Sequence, residues 1–169
     1  FLWNKLFKII EEKFVVTFDF AFNNLSSDEK IYFAFSYPFS YEENQNYLSF
    51  LQKRFLFDSE IYFHRETLIH SPENRNIDLI TISSHEGKLN ERESPIKESL
   101  FPNSKTEKRA FKFRDNKPVI LLTARVHPGE TPSSFVVEGL ITFLLSSDPI
   151  AKALLDRVIF KVSKKKIFC

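Results

Sequence analysis

Nine residues, "PVILLTARV" from Pro118 to Val126, form a near-continuous apolar run in a chain whose charged and apolar residues otherwise alternate finely. A run this short, ended by a turn, suits a strand buried on both faces of a sheet. The turn "HPGE" follows, and Thr131 can then cap a helix with Pro132 at its first position, where a ring nitrogen without an N–H costs nothing. Phe135, Val136, Leu140, Phe143 and Leu144 are expected to form that helix's buried face, "SSDP" to end it, and "RVIFKV" to form a further strand. Strand, helix, strand in this order predicts an α/β fold, with the helix packed on a mainly parallel sheet.

Upstream the pattern changes. Phe14, Val16, Phe18, Phe20 and Phe22 alternate with Val15, Thr17, Asp19 and Ala21, and Ile31, Phe33, Phe35 and Tyr37 alternate again across the loop "NNLSSDEK". Period two on both sides of a loop predicts an antiparallel pair with one buried face. The opening "FLWNKLFKIIEEKF" spaces Leu2, Leu6, Ile9 and Ile10 like a helix face, but is short enough to stay ambiguous. Pro38 closes the second strand, and Ser40 followed by Glu43 fits a capping box, so a helix is expected, with a stripe of Tyr47, Leu48, Leu51 and Phe55 and an end near Phe57. "RETLIH" and "IDLITISS" read as two strands joined by "SPENRN". Residues 83–117 hold no sustained period and are expected to be a surface insertion or a mobile segment.

Charge and composition exclude several function classes. The 24 basic and 22 acidic residues are interleaved, so no sustained basic face points to nucleic acid or to an anionic membrane. No apolar stretch reaches the roughly 18 residues of a membrane-spanning helix. The single Cys, Cys169, excludes an internal disulfide framework and fits a reducing compartment. The chain starts at Phe1 and contains no Met, so the true N-terminus is expected to lie upstream.

Zinc in hydrolases takes three protein ligands from His, Cys and carboxylates and keeps one position for water. His127 and Glu130 are of the right types, and a turn at the mouth of a buried strand could aim both into a cleft above the sheet. The spacing alone does not decide it. With 22 acidic residues and 4 histidines, roughly half a chance match of a His to an acidic residue three positions on is expected. A second match, His70 to Glu73 in "HSPE", does occur and is expected to be a decoy. The residues themselves leave a metal ligand pair and a polar strand-to-helix turn both open.

The longer segment "ARVHPGETPSSFVVEGLITFLL" resembles the zinc-binding signature of the cytosolic carboxypeptidases, a branch of the M14 zinc carboxypeptidases that trims glutamates from tubulin tails. "YFAFSYPFSYEENQNYLSFLQKRF", "IYFHRETLIHSPENRNIDLITISSHEG" and "LFP" are similar to the family in order and spacing, closest to its branch-point-deglutamylating members. The resemblance covers about residues 14–162. It implies that residues 1–38 end an N-terminal β-sandwich, and that residues 39–169 begin an α/β/α carboxypeptidase domain on a mainly parallel mixed sheet. It further implies His127 and Glu130 as two ligands of one Zn2+, with Arg125 as a supporting or ion-paired neighbour. The partners it implies are glutamylated tubulin or other glutamate-rich tails, and the setting it implies is the cytoplasm, with association to microtubules or cilia.

The resemblance stops at "SKKKIFC", where the family continues through a proline and an Asn-Pro-Asp-Gly turn. The third zinc ligand, the substrate-binding arginines and the Glu that acts as general base have no counterpart here, and His64, His70 and His85 all precede the signature. The 169-residue chain is therefore expected to be inactive alone, or to be a non-catalytic module or truncated product that still docks on tubulin. A third expectation is an incomplete sheet that exposes "PVILLTARV" and "RVIFKV" and aggregates. Val162-Ser163 can be encoded by a splice-donor sequence, so residues 162–169 are expected to be retained intron or a misannotated gene end, the alternative being a genuine solvated basic terminus.

Overall fold

The computed structural model describes residues 5–10, 13–21, 26, 28–34, 36–94, 96–97, 99–114 and 116–164. Leu2, Phe22, Phe35 and the tail from Lys165 to Cys169 lie outside the described residues. The chain divides into two compact units, Phe1–Phe33 and Ala34–Cys169.

The first unit holds strands β1 (Lys5–Ile10) and β2 (Lys13–Phe18), paired antiparallel with Ile10 opposite Lys13. The ambiguous opening segment is thus a strand, and it takes the place expected for residues 31–37. Ile31 to Ala34 are not in a strand, and Tyr37 is exposed. A two-residue connection makes the β1–β2 hairpin the more local pairing, and short loops favour such neighbours. Within this unit the Phe33 ring instead packs on Phe18 and Phe20, with centroids 5.3 Å apart in both pairs.

The second unit opens with helix α1 (Tyr41–Arg54). Its capping box is formed as expected: the Glu43 N–H donates to Ser40 Oγ at 3.0 Å, and the Ser40 N–H donates to Glu43 Oε2 at 2.6 Å. Two otherwise orphaned donors are satisfied in this way. Strands β3 (Ile61–His70) and β4 (Asn76–Ser84) form the expected hairpin. Strands β5 (Lys88–Arg92) and β6 (Phe111–Phe113) pair within the segment read as insertion, so that segment is partly ordered into a small sheet of its own. Strand β7 (Val119–Ala124), helix α2 (Thr131–Leu144), helix α3 (Pro149–Arg157) and strand β8 (Ile159–Lys164) follow. Asp148 caps α3 by accepting from the Ile150 N–H at 2.7 Å, a second helix hidden in what reads as a helix end followed by a strand.

The main sheet runs β3-β4-β8-β7. It is mixed, as expected, but its parallel part is confined to β7–β8, and the β3–β4 and β4–β8 pairings are antiparallel. Leu48 and Leu51 of α1, Val137, Ile141 and Leu144 of α2, and Leu155 of α3 join Ile80, Ile82, Phe160 and Val162 in one core cluster. A second cluster joins Tyr62 and Ile159 to Phe113, with Phe111 against it, so the β5–β6 sheet meets the main sheet.

Three expectations are corrected here. The strand buried on both faces is β8, where Val162 is fully buried, and not β7. β7 is an edge strand whose Val119 and Leu121 are 53% and 63% exposed, because apolar composition reports what a strand could bury and not what covers it. "RVIFKV" is accordingly not an exposed edge. The α2 face that is buried is Ser134, Val137, Ile141 and Leu144; Phe135 and Val136 point outward, while Leu140 and Phe143 flank the core. Beyond these corrections, Val162, Ser163 and Lys164 continue the β8 register against β7, pairing with Leu122, Thr123 and Ala124. Among the described residues no single helix is long and apolar enough to cross a membrane.

Candidate functional site

The "HPGE" segment leaves the C-terminal end of β7 as a tight turn. The Glu130 N–H donates to the His127 carbonyl at 3.1 Å, with Pro128 and Gly129 at the two corners, where proline's fixed φ suits the first corner of a turn. The helix then starts one residue earlier than the cap expected at Thr131. Glu130 is the N-cap, Thr131 the first helical residue and Pro132 the second. No side chain caps this end. The Glu130 carboxylate, in position to cap, turns instead to His127: Nδ1 and Oε1 are 2.9 Å apart. This contact is the main reason the Glu130 carboxyl is held below the usual carboxylate range. Both side chains face solvent, at 77% and 52% exposure.

Arg125 fixes the turn. Its φ of 54° lies in the left-handed region, uncommon outside glycine and costly unless the surroundings hold it. Three bonds do so: its N–H donates to Ser133 Oγ at 3.0 Å, its Nε donates to the Pro128 carbonyl at 3.0 Å, and its Nη1 donates to the Phe39 carbonyl. Arg125 therefore ties the turn to the segment that leads into α1. Of the two roles expected of it, supporting neighbour or ion-pair partner, its guanidinium makes no ion pair among the described residues and bonds to carbonyls instead. Ser133 Oγ also donates to the Glu130 carbonyl at 2.6 Å, closing the loop on itself.

The decoy separates cleanly from the pair. His70 ends β3, whereas Glu73 sits in the following turn and pairs with Arg75 at 3.2 Å. His64 and His85 are also elsewhere: His64 stacks on Tyr62, and His85 Nε2 lies 3.0 Å from the Asp58 carbonyl. Among the described residues no group of three or more His, Cys, Asp or Glu is placed to hold a metal.

The two residues nonetheless suit zinc as a pair. Zinc–nitrogen and zinc–oxygen bonds of about 2.0–2.2 Å at tetrahedral angles put neighbouring donor atoms roughly 3.3 Å apart. The 2.9 Å between His127 and Glu130 needs only a few tenths of an ångström of opening, on a solvent-facing turn.

The model of the zinc carboxypeptidase family matches residues 62–163, from β3 to the end of β8. This chain belongs to the zinc carboxypeptidase family. Among similar members, the cytosolic carboxypeptidase-like protein 5 of Bos taurus is 43% identical over 165 residues, which is 92% of this chain and 18% of that protein. That of Danio rerio is 44% identical over 142 residues, 78% of this chain and 16% of that protein. Cytosolic carboxypeptidase 6 of Mus musculus is 39% identical over 152 residues, 90% of this chain and 23% of that protein. The chain thus spans under a quarter of the length of these relatives. A crystal structure described as a putative carboxypeptidase A from Shewanella denitrificans OS-217 superposes with a TM-score of 0.50 at 27% identity, over 75% of this chain and 25% of that one. The mixed α/β architecture is the family's own.

Two features of this end of the sheet escape a reading of the sequence. The reach of Arg125 to Phe39, 86 positions away, has no local signal. Lys164 had one: it follows Phe160 and Val162 at period two and so falls on their core-facing side, though its setting in a lysine-rich tail reads as solvated.

Proposed function

We propose that these residues form the first part of a zinc-dependent carboxypeptidase centre, in a protein that removes glutamates from glutamate-rich tails such as those of tubulin, in the cytoplasm. The observation that carries the reading is the His127–Glu130 pair, set by Arg125 on the turn between β7 and α2 in a member of this family. His127 and Glu130 would hold the metal. When bound, zinc supplies Lewis-acid polarisation and a water of lowered pKa. Arg125 keeps the turn in the one backbone geometry that points both ligands the same way, so the entropy of ordering them is lost on folding and not on metal capture. The relatives' names supply the cytosolic setting, and the resemblance of the signature supplies the glutamate preference.

Two described ligands are fewer than catalytic zinc requires. The purified 169-residue chain is therefore expected to release no glutamate from a glutamylated peptide, whereas the full protein carrying these residues releases it in a chelator-sensitive manner that His127→Ala abolishes. Turnover by the 169-residue chain itself would refute the incomplete-site reading. Release of neutral C-terminal residues, with glutamate untouched, would refute the substrate while leaving the zinc centre standing.

A further inference from the structure

The turn that carries His127 and Glu130 has little of its own to hold it in place. Both side chains face solvent, a Cβ added at Gly129 would meet nothing within 4 Å, and no side chain caps the start of α2 behind it. The bonds from Arg125 Nε to the Pro128 carbonyl and from Ser133 Oγ to the Glu130 carbonyl lie inside the loop, so they fix its shape and not its position. A ligand pair on such a turn keeps a reproducible geometry only when groups that never touch the metal orient it from outside.

Three contacts from one distant stretch, residues 36–39, do this. Ser36 Oγ and Thr131 Oγ1 share a hydrogen bond at 2.8 Å across 95 positions. The Phe39 carbonyl accepts from Arg125 Nη1, and the Phe39 ring stands edge-on to Phe135, with centroids 5.2 Å apart and planes at 85°. Arg125 lies two residues before His127, and Thr131 directly follows Glu130, so the two hydrogen bonds hold the pair from both sides. The stretch is itself anchored. Phe39 is 7% exposed, with the Lys164 ammonium 4.8 Å from its ring centre, and the next residue, Ser40, is tied into the capping box of α1.

We infer that residues 36–39 form a strap that positions the ligand-bearing turn, with Ser36 and Phe39 as positioning residues that set how well His127 and Glu130 capture a divalent cation. The inference rests on the zinc reading of that pair. The strap's bonds form on folding, before any metal arrives, so losing one shifts the entropy of ordering the turn onto capture. Removing a group that orients a ligand in this way typically weakens metal binding by about tenfold or more.

The test is titration of the 169-residue chain with zinc alone, followed by nuclear magnetic resonance at the amides of His127, Gly129 and Glu130. The wild type is expected to respond saturably and His127→Ala to abolish the response. Ser36→Ala should weaken zinc about tenfold, with an unchanged far-ultraviolet circular dichroism spectrum. It should also lower the zinc-free order parameters of the His127 and Glu130 amides from about 0.85 toward about 0.6. Thr131→Val, which removes the other hydroxyl at similar volume, should do the same, and it decides the matter should Ser36→Ala fail to fold. The double variant should bind zinc no more weakly than either single one, because the two hydroxyls make one bond. Ser36→Thr keeps the hydroxyl and should stay within about twofold of wild type. Unchanged zinc affinity, unchanged turn order, or additive losses in the double variant would each overturn the strap while a wild-type zinc response still stood. An absent wild-type response would instead remove the zinc reading, and the positioning role with it.

Discussion

His64 offers a sharp test of how the β5–β6 segment is attached to the main sheet. Its ring lies parallel to Tyr62, with centroids 6.2 Å apart, and its Nε2 is buried without a partner. Burial, followed by the charge of Arg92 and, further down, that of Lys161, pushes its pKa down to about 4 from an ordinary 6.5; the Lys108 backbone hydrogen bond and the Glu93 carboxylate pull the other way. Glu93 is already engaged by Lys161 at 2.8 Å and by Arg109 at 3.2 Å, so a third cation there finds no free carboxylate. A base whose folded pKa is depressed binds fewer protons folded than unfolded between the two values, and stability is lost as pH falls through that window. With values of 6.5 and about 4, linkage puts the loss at about 2 kcal/mol between roughly pH 7.5 and pH 5. His64→Gln keeps the shape and removes the titration. Urea unfolding of both proteins across that range should therefore show the wild type losing about 2 kcal/mol relative to the variant, whatever other groups contribute to both curves. A stability difference that stays constant with pH would refute the buried neutral imidazole.

Other consequences can be measured on the same chain. Ile141→Ala empties a fully buried position in the main core and should cost about 2–5 kcal/mol by denaturant titration, whereas Val136→Ala, on the same helix but 72% exposed, should cost well under about 1 kcal/mol. Ser40→Ala removes the oxygen that accepts from Glu43 N–H and should cost about 1 kcal/mol; a neutral result would show that the capping box does not hold the start of α1. Arg109→Ala strands the buried Glu66 carboxylate and should destabilise the chain by about 3–5 kcal/mol, which a Glu66→Gln background should largely relieve; equal losses in both backgrounds would deny the coupling. Leu121→Lys on the exposed side of β7 should lower self-association measured by light scattering without changing unfolding stability, and undiminished aggregation would place the sticky surface elsewhere.

What the sequence revealed follows from how local each signal is. The Ser40–Glu43 box, the β3–β4 hairpin and the "HPGE" turn are written within a few residues, and each appears where its chemistry puts it. Burial was harder. "PVILLTARV" is more apolar than "IFKVSK", yet β8 is the strand enclosed on both sides, since strand order and not composition decides who lies in the middle. The buried side of α2 lies one or two positions from the one its apolar residues predict because nearly all of "SSFVVEGLITFLL" is apolar or small, and a helix without polar contrast does not declare its face. The pair at His127 and Glu130 was visible as residue types; the strained backbone at Arg125 that aims it was not, because positive φ at an arginine leaves no compositional trace.

The placement of β8 also bears on how such a chain comes into being. Residues 159–164 are inserted between β4 and β7, strands made long before them, so through the whole interval in which residues 125–158 are synthesised both neighbours wait with open hydrogen-bonding edges. α2 and α3 emerge ahead of part of the surface they will cover. Closure of the sheet is thus a late, long-range event, and the growing polypeptide is most in need of a chaperone's protection in the period just before its central strand arrives.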